Sequence, residues 1–509
     1  GDTYYVNSTG VMVRNAWVSI VNEDQDDDED PAEYNWYYFQ SNGKAYKKGD
    51  STNTRFRTIN GKRYAFDDDG KMLYGWVSKN GERVTDDEGW ADDETIYYLG
   101  DWNDGSMKTG WQKITVYDNE KEDDMDYWFN FKSNGEKRLD KENWKNNGKT
   151  YAFDGRGVMV YQWTTVGTIN SDKASDSDGK RASSSEWRYF NSPEDGARVT
   201  KGWFKVVAPD DDNDNTFMDY SVTFAEDDAN DETERWYYAD GDGKLCAGEI
   251  KSIKGKYYGF WPENGKKSGA MLNGLCVLQM DGSKIEKVIA DDIDSNDLDD
   301  ILDGDYEDQG NWTDVYLYYF GNDLDGDGSM KTGNVTVNLD GNSYNFLFKK
   351  TGNPAGGRGQ GVTGIEDKKY IYNYGCKIKA SSDDKYKLVR VEGTNGDDIN
   401  SSGVNVTTKD LIPAWEDGTD YKNNEGENVR YHIDDFKSLD YYLVNTSGNI
   451  QKNKLNGLKD GNECYYYVNK NCHVILYSDN KDLRNKDKCN SNSGLDFVKY
   501  QVSDFDFEK

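Results

Sequence analysis

One short phrase recurs along this chain and limits what it can fold into. It reads two or three aromatics, a few polar residues, Gly, then Met or Val, then Gly and Trp. Tyr64-Ala65-Phe66 with Gly70 and Met72 leads to Gly75-Trp76, and Tyr97-Tyr98 with Gly105 and Met107 leads to Thr109-Gly110-Trp111. Tyr151-Ala152-Phe153 with Gly157 and Met159 leads to Trp163, and Tyr318-Tyr319-Phe320 with Gly328 and Met330 leads to Thr332-Gly333. Short aromatic runs favour strands. Asn-Gly and Asp-Gly pairs supply the positive φ of a tight turn. Each phrase therefore predicts one short β-hairpin. A lone hairpin is unstable in water, but stacked hairpins bury their faces against one another. The fold expected is all-β: a solenoid array of stacked hairpins. No helical periodicity of comparable strength exists, although Ile285 to Asp303 has room for a short helix.

Composition supports an aromatic core. The chain has 18 Phe, 15 Trp and 38 Tyr, which are 14% of residues against 35% hydrophobic in all. Little aliphatic matter remains for several deep cores, while high aromatic content argues against disorder despite the charge. With 62 basic and 95 acidic residues the net charge is −33. That disfavours nucleic acid, whose phosphates need a basic footprint, and docking on an anionic bilayer. No apolar run reaches the roughly 20 residues of a membrane-spanning helix. The two histidines, His432 and His473, make His-based catalysis or metal binding unpromising. The start at Gly1, without Met or a signal peptide, reads as a mature or cut product.

A longer period overlies the phrase. Asn60 to Asp67 and Asn147 to Asp154 share Asn-Gly-Lys-x-Tyr-Ala-Phe-Asp, and each is expected to close a group of hairpins. Acidic inserts recur at Asn22–Glu33, Asp86–Glu94, Asp118–Asp126, Asp210–Glu234 and Asp291–Asp308, and read as extended hairpin tips. The phrase is well kept over 1–275. It diverges over 276–379 around an acidic insert, and 380–509 reads as an atypical C-terminal β-rich region.

These residues resemble the cell-wall-binding repeat family, also called choline-binding or glucan-binding repeats. Thr109-Gly110-Trp111, Tyr97-Tyr98, Gly105-Ser106-Met107 and Asn60-Gly61-Lys62-Arg63-Tyr64-Ala65-Phe66 carry the likeness. The resemblance implies a β-solenoid of hairpins at the surface of a Gram-positive bacterium, contacting wall polymer, choline or glucan without chemistry of its own. It also implies ligand cages between adjacent hairpins. Candidates are Trp76 with Tyr97 and Tyr98, Trp111 with Tyr127 and Trp128, and Trp203 with Trp236 and Tyr237. Ring faces attract a quaternary ammonium. The competing reading is a plain stacking core, and the acidic inserts after each Trp either roof or displace such cages.

Other chemistry is sparse. Asp323, Asp325 and Asp327 open like a calcium loop, but the twelfth position is Asn334, so a turn is the favoured reading. Ca²⁺ is the one cofactor for which the sequence offers a candidate. Paired carboxylates are too numerous to single out a glycosidase pair, and no nucleophile elbow, phosphate loop or HExxH occurs. No enzymatic activity is expected. Of six cysteines, Cys464 and Cys472 flank one predicted hairpin and are candidates for a disulfide.

The function expected is a non-catalytic, extracellular binding and scaffolding element at the bacterial cell surface. Its partner is cell-wall polymer or glycan, held in aromatic grooves. Two alternatives stand beside it. One is a subunit that self-associates into a filament or surface layer through the open ends of the array. The other is the receptor- or glycan-binding region of a larger toxin or glucan-processing enzyme.

Overall fold

The computed structural model describes residues 1–165, 184–209, 216–217, 233–263, 267–321, 327–393, 404–408, 419–422 and 428–481. It is all-β apart from short helical turns and one α-helix among these residues. The chain forms two compact units, Gly1–Cys246 with Lys266–Ser268, and Ala247–Gly265 with Gly269–Lys509. The groups at 1–275, 276–379 and 380–509 follow how well the phrase is kept rather than compactness.

The first unit is built from separate antiparallel hairpins. They are β1 (Ala16–Val21) with β2 (Tyr34–Phe39), β3 (Arg57–Ile59) with β4 (Lys62–Tyr64), and β5 (Trp76–Ser78) with β6 (Thr95–Tyr98). β7 (Gly110–Asp118) with β8 (Asp123–Phe131), β9 (Lys141–Asn146) with β10 (Lys149–Phe153), β11 (Trp163–Thr165) with β12 (Trp187–Tyr189) and β13 (Gly202–Val207) with β14 (Glu234–Ala239) complete it. The Asn-Gly-Lys phrase turns the compact β3–β4 and β9–β10 hairpins. Both turn residues have positive φ, 49° and 81° at Asn60-Gly61 and 49° and 78° at Asn147-Gly148. Each of these hairpins lies between one that carries Trp17 or Trp111 and one that carries Trp76 or Trp163.

Two devices repeat between hairpins. The first is a side-chain-closed turn. The Asp67 carboxylate accepts the amides of Asp69 and Lys71 at 2.9 and 2.8 Å, and Asp154 accepts those of Arg156 and Val158 at 2.9 Å each. Asp240 and Asn445 repeat the arrangement. A short polar side chain that bonds amides two and four residues on fixes a tight turn.

The second device is a ladder through the residue two after the turn glycine. Its amide donates back to the preceding hairpin: Met72 to the Trp36 carbonyl, Met107 to Arg63, Lys137 to Ile96 and Met159 to Trp128, at 2.7, 2.8, 2.7 and 2.8 Å. Its side chain lies forward over the next turn glycine. A Cβ on Gly105 would meet Met72 Sδ at 2.3 Å, and one on Gly135 would meet Met107 Sδ at 2.3 Å. The Gly-x-Met of the phrase is therefore a stacking joint.

The second unit opens with hairpin β15 (Ile250–Ile253) and β16 (Lys256–Gly259). A three-stranded sheet follows, with β17 (Leu275–Asp281) between β18 (Lys284–Ala290) and β19 (Val315–Tyr319). Helix α1 (Ser295–Asp303) links β18 to β19, capped by Asp294 and ended at Gly304 with φ 79°. Only the last part of Ile285–Asp303 is helical, because Lys284–Ala290 pairs as a strand.

Next come β20 (Gly333–Leu339), β21 (Asn342–Phe348), β22 (Gly364–Glu366), β23 (Tyr370–Asn373) and β24 (Cys376–Lys377), which form one five-stranded sheet. β25 (Tyr386–Glu392), β26 (Asn405–Thr407), β27 (Thr419–Lys422), β28 (Asn428–His432), β29 (Tyr441–Asn445), β30 (Lys454–Lys459), β31 (Tyr465–Val468) and β32 (Val474–Ser478) form a three- and a five-stranded sheet. The cores here are largely aliphatic: Leu275, Val277, Leu298, Ile301 and Leu317 in one, Ile371, Val389, Val391 and Val444 in another. The expectation of an aromatic core holds for the first unit; in the second, aliphatic residues outnumber aromatics such as Phe346, Phe348, Phe436 and Tyr467. Wider sheets offer continuous faces that β-branched residues fill.

Of the inserts, Asn22–Glu33, Asp86–Glu94 and Asp118–Asp126 are hairpin tips, while Asp291–Asp308 carries α1 instead. Most of Asp210–Glu234 lies outside the described residues. No helix among the described residues is long and apolar enough to cross a membrane.

Candidate functional site

The candidate cages took adjacent aromatics from one strand, and strand geometry separates them. Neighbouring side chains of a strand point to opposite faces. Trp76 meets Tyr98 at 5.0 Å, whereas Tyr97 packs on Phe56 at 4.9 Å. Trp111 meets Trp128 at 6.3 Å, whereas Tyr127 turns to Trp90 at 6.2 Å and bonds the Asp118 carboxylate. Trp203 meets Trp236 at 6.3 Å, whereas Tyr237 is buried against Trp163 at 5.4 Å. Tyr97, Tyr127 and Tyr237 thus leave the clusters proposed for them.

Residues from the following hairpin complete the clusters. Around Trp111 stand Trp144, Tyr151 and Phe153 at 5.6, 5.0 and 5.7 Å. An equivalent cluster, absent from the sequence-based candidates, surrounds Trp17 with Tyr38, Tyr64 and Phe66 at 5.2, 4.9 and 5.9 Å. The recurrence of Tyr-Ala-Phe at 64–66 and 151–153 was its available signal.

Trp17–Trp36, Trp111–Trp128 and Trp203–Trp236 have centroid separations of 6.4, 6.3 and 6.3 Å and interplanar angles of 85°, 86° and 85°. Register explains the match. Ser19, Lys113 and Lys205, each two residues after the first Trp, pair with the second Trp, so the rings are diagonal neighbours on one face. All six rings are half-buried.

A cation already sits beside two of these clusters. The Arg57 guanidinium lies over Tyr46 at 5.2 Å, and that of Arg138 over Trp144 at 4.2 Å. Arg138 follows its turn at the place of Tyr46, and Trp144 precedes its turn near the place of Arg57. Arginine and aromatic have exchanged places between the copies. Glu194 receives Trp128 Nε1 at 3.2 Å and Lys113 at 2.7 Å, which orients the rim.

Of the intervening clusters one is closed, and Trp76 in the other stays half-buried. Trp163 and Trp187 are fully buried. Trp76 is ringed by Trp90, Tyr98, Phe129 and Phe131 at 6.5, 5.0, 5.1 and 6.1 Å. Trp90 comes from the Asp86–Glu94 tip and donates its Nε1–H to the Tyr117 carbonyl at 2.8 Å. Here the acidic insert acts as a roof.

Solved choline-binding proteins match this chain. CbpF in complex with ipratropium superposes with a TM-score of 0.37 at 17% identity, covering 84% of this chain and 100% of that one. The choline-binding domain of CbpL from Streptococcus pneumoniae gives 0.26 at 18%, covering 52% and 92%. The modular autolysin LytC from Streptococcus pneumoniae, with a synthetic peptidoglycan ligand, gives 0.28 at 16%, covering 69% and 52%. These superpositions are loose. No family model matches the sequence, and no curated protein does.

The calcium and disulfide candidates fare differently. Asp323 and Asp325 lie outside the described residues. Asp327 is engaged by Lys331 and Lys256 at 3.0 and 3.2 Å. Hydrogen bonds from Ser329 and then Lys331 hold its carboxyl well below the ordinary range. The identical Asp104-Gly105-Ser106-Met107-Lys108 closes the same way, with Lys108 on Asp104. In both turns an ammonium stands on the carboxylate. Among the described residues no three His, Cys, Asp or Glu are grouped to hold a metal.

Cys464 and Cys472 are both free thiols. Cys464 precedes β31, while Cys472 lies in the turn between β31 and β32, so they occupy opposite ends of the hairpin. Four strand residues span roughly 13 Å, beyond the reach of about 7 Å between Cα atoms that a disulfide tolerates.

Proposed function

We propose that the chain is a non-catalytic, extracellular binding element of the bacterial surface, holding wall polymer or glycan in the half-open clusters centred on Trp17, Trp111 and Trp203. The supporting observation is the recurrence of one Trp–Trp arrangement at every third hairpin, half-exposed each time, whereas Trp163 and Trp187 between two of them are fully buried. Packing alone has no reason to leave the same rings open in every group. Half-open indole faces suit a quaternary ammonium or the apolar face of a sugar. A net charge of −33 raises the local concentration of cations, which favours the ammonium.

The test is a titration followed by Trp fluorescence, with choline and then with an isomalto-oligosaccharide, on the wild-type chain and Trp111→Ala. The variant is expected to lose part of the response while far-ultraviolet circular dichroism stays unchanged. A wild-type chain whose emission ignores both ligands sinks the reading.

A further inference from the structure

The cluster around the half-buried Trp76 contains a buried lysine. In the stacking ladder, Met72, Met107 and Met159 stand two residues after their turn glycines, and the chain places Lys137 at the same step. Its aliphatic stem runs over Gly157 as a methionine would, with Cδ 2.5 Å from where a Cβ would stand. Its Nζ continues to 5.3 Å from the centroid of the Trp76 ring and donates to the Trp90 carbonyl at 2.9 Å. The residue is 2% exposed. Trp90 itself is fixed from its other groups: its indole N–H is bonded to Tyr117, and the Arg156 guanidinium lies 5.5 Å over its ring. Arg156 is held in turn by Asp118 and Asp154 at 3.0 and 2.9 Å. Removing a lysine from water is costly unless its charge meets oriented partners. Here the partners are a ring face and a carbonyl.

We propose that Lys137 is an internal ligand: its ammonium occupies the Trp76 cluster as a tethered cation and closes that cluster to alkylammonium ions from outside. The cluster is a cation site like its half-open neighbours, filled by the chain itself. This rests on reading the ring clusters as cation sites, and it sets the half-exposed Trp17 and Trp111 clusters, with Arg57 and Arg138 at their sides, apart from the Trp76 cluster, whose own cation is buried. The ligand class of the emptied site is a small alkylammonium or quaternary ammonium ion.

The experiment is chemical rescue. Lys137→Ala removes the stem and the charge, leaving a space about the size of tetramethylammonium. Thermal unfolding is followed below neutral pH, where the folded chain keeps Lys137 protonated, in sodium chloride and in tetramethylammonium chloride at equal ionic strength, for the wild type, Lys137→Ala and Lys137→Met. Lys137→Ala is expected to melt several degrees below the wild type and to be raised by tetramethylammonium, with half-effect at a concentration at least tenfold lower than any response of the wild type. Lys137→Met, refilled by the side chain used at the neighbouring steps, is expected to show no such rescue. A folded Lys137→Ala with no response beyond the wild type's overturns the proposal.

Should Lys137→Ala fail to fold, the wild type decides. Its Lys137 ε-methylene protons must be shifted upfield by the Trp76 ring, and Trp76→Leu must abolish the shift. Unshifted protons overturn the proposal. A wild type blind to choline, beside a rescued Lys137→Ala, would remove the function proposed for the half-open clusters and leave the internal ligand standing.

Discussion

At the residue scale, turn glycines carry two separate demands. Gly61 has φ 81° and open space, with nothing within 4 Å of where a Cβ would stand, whereas Gly135 has φ 90° and faces Met107 Sδ at 2.3 Å. Alanine at either position costs about 1–2 kcal/mol for the left-handed conformation. Gly135→Ala must also displace Met107, adding roughly 1–3 kcal/mol of overpacking. Denaturant unfolding of the two variants is expected to show that difference, and equal losses would refute the ladder. The turn role of these glycines was legible from Asn-Gly and Asp-Gly pairs; the load from Met107 was not, because it arrives from another hairpin.

Lys137 adds a pH signature. Burial pushes its ammonium down to about 7 from 10.5, with Asp154, Asp92 and Asp93 favouring the charge and Arg156 opposing it. Between those values the unfolded chain binds a proton that the folded chain lacks, so stability from this group rises with pH from about 7. Below that range both states are protonated and the burial penalty is constant. Urea midpoints are expected to climb between neutral and alkaline pH in the wild type, and less in Lys137→Met.

At the element scale, the hairpins were legible and their partners were not. The phrase marks each aromatic strand, and paired strands occur where it predicts them, as at Trp76 and Tyr98. Which face each ring takes follows from alternation, which separates Tyr98 from Tyr97. Which hairpin completes a cluster depends on stacking, which is why Trp144 and Tyr151 were missed beside Trp111. The Asp86–Glu94 tip shows how one residue organises a polar insert. Trp90 is 4% exposed, within an otherwise acidic and polar segment. Trp90→Ala is expected to destabilise the chain by about 3–5 kcal/mol, as large-to-small core changes do, and to expose the half-buried Trp76 further. A blue-shifted emission spectrum unchanged by that substitution would show that the tip is no roof. Trp163→Ala is expected to cost a similar amount because Trp163 is fully buried, whereas the half-buried Trp111 yields a smaller loss.

At the scale of the whole molecule, charge and core composition set the behaviour. The second unit's aliphatic sheets were hidden because low overall hydropathy averaged over both units, and Val389, Val391 and Val444 come together only across strands distant in sequence. With a net charge of −33, the folded chain repels itself more than an expanded one does. Raising sodium chloride from about 0.01 M to 0.15 M shortens the screening length from about 30 to 8 Å and is expected to raise the melting temperature. A melting temperature that falls with salt would mean that attractive ion pairs dominate. The ladder carries one more consequence, for inheritance. Each turn accepts a side chain from the turn before it and offers one to the turn after, through the same glycine and the same step. Gene duplication or deletion of whole turns therefore leaves no ill-fitting seam, so such a chain can change length by copying itself.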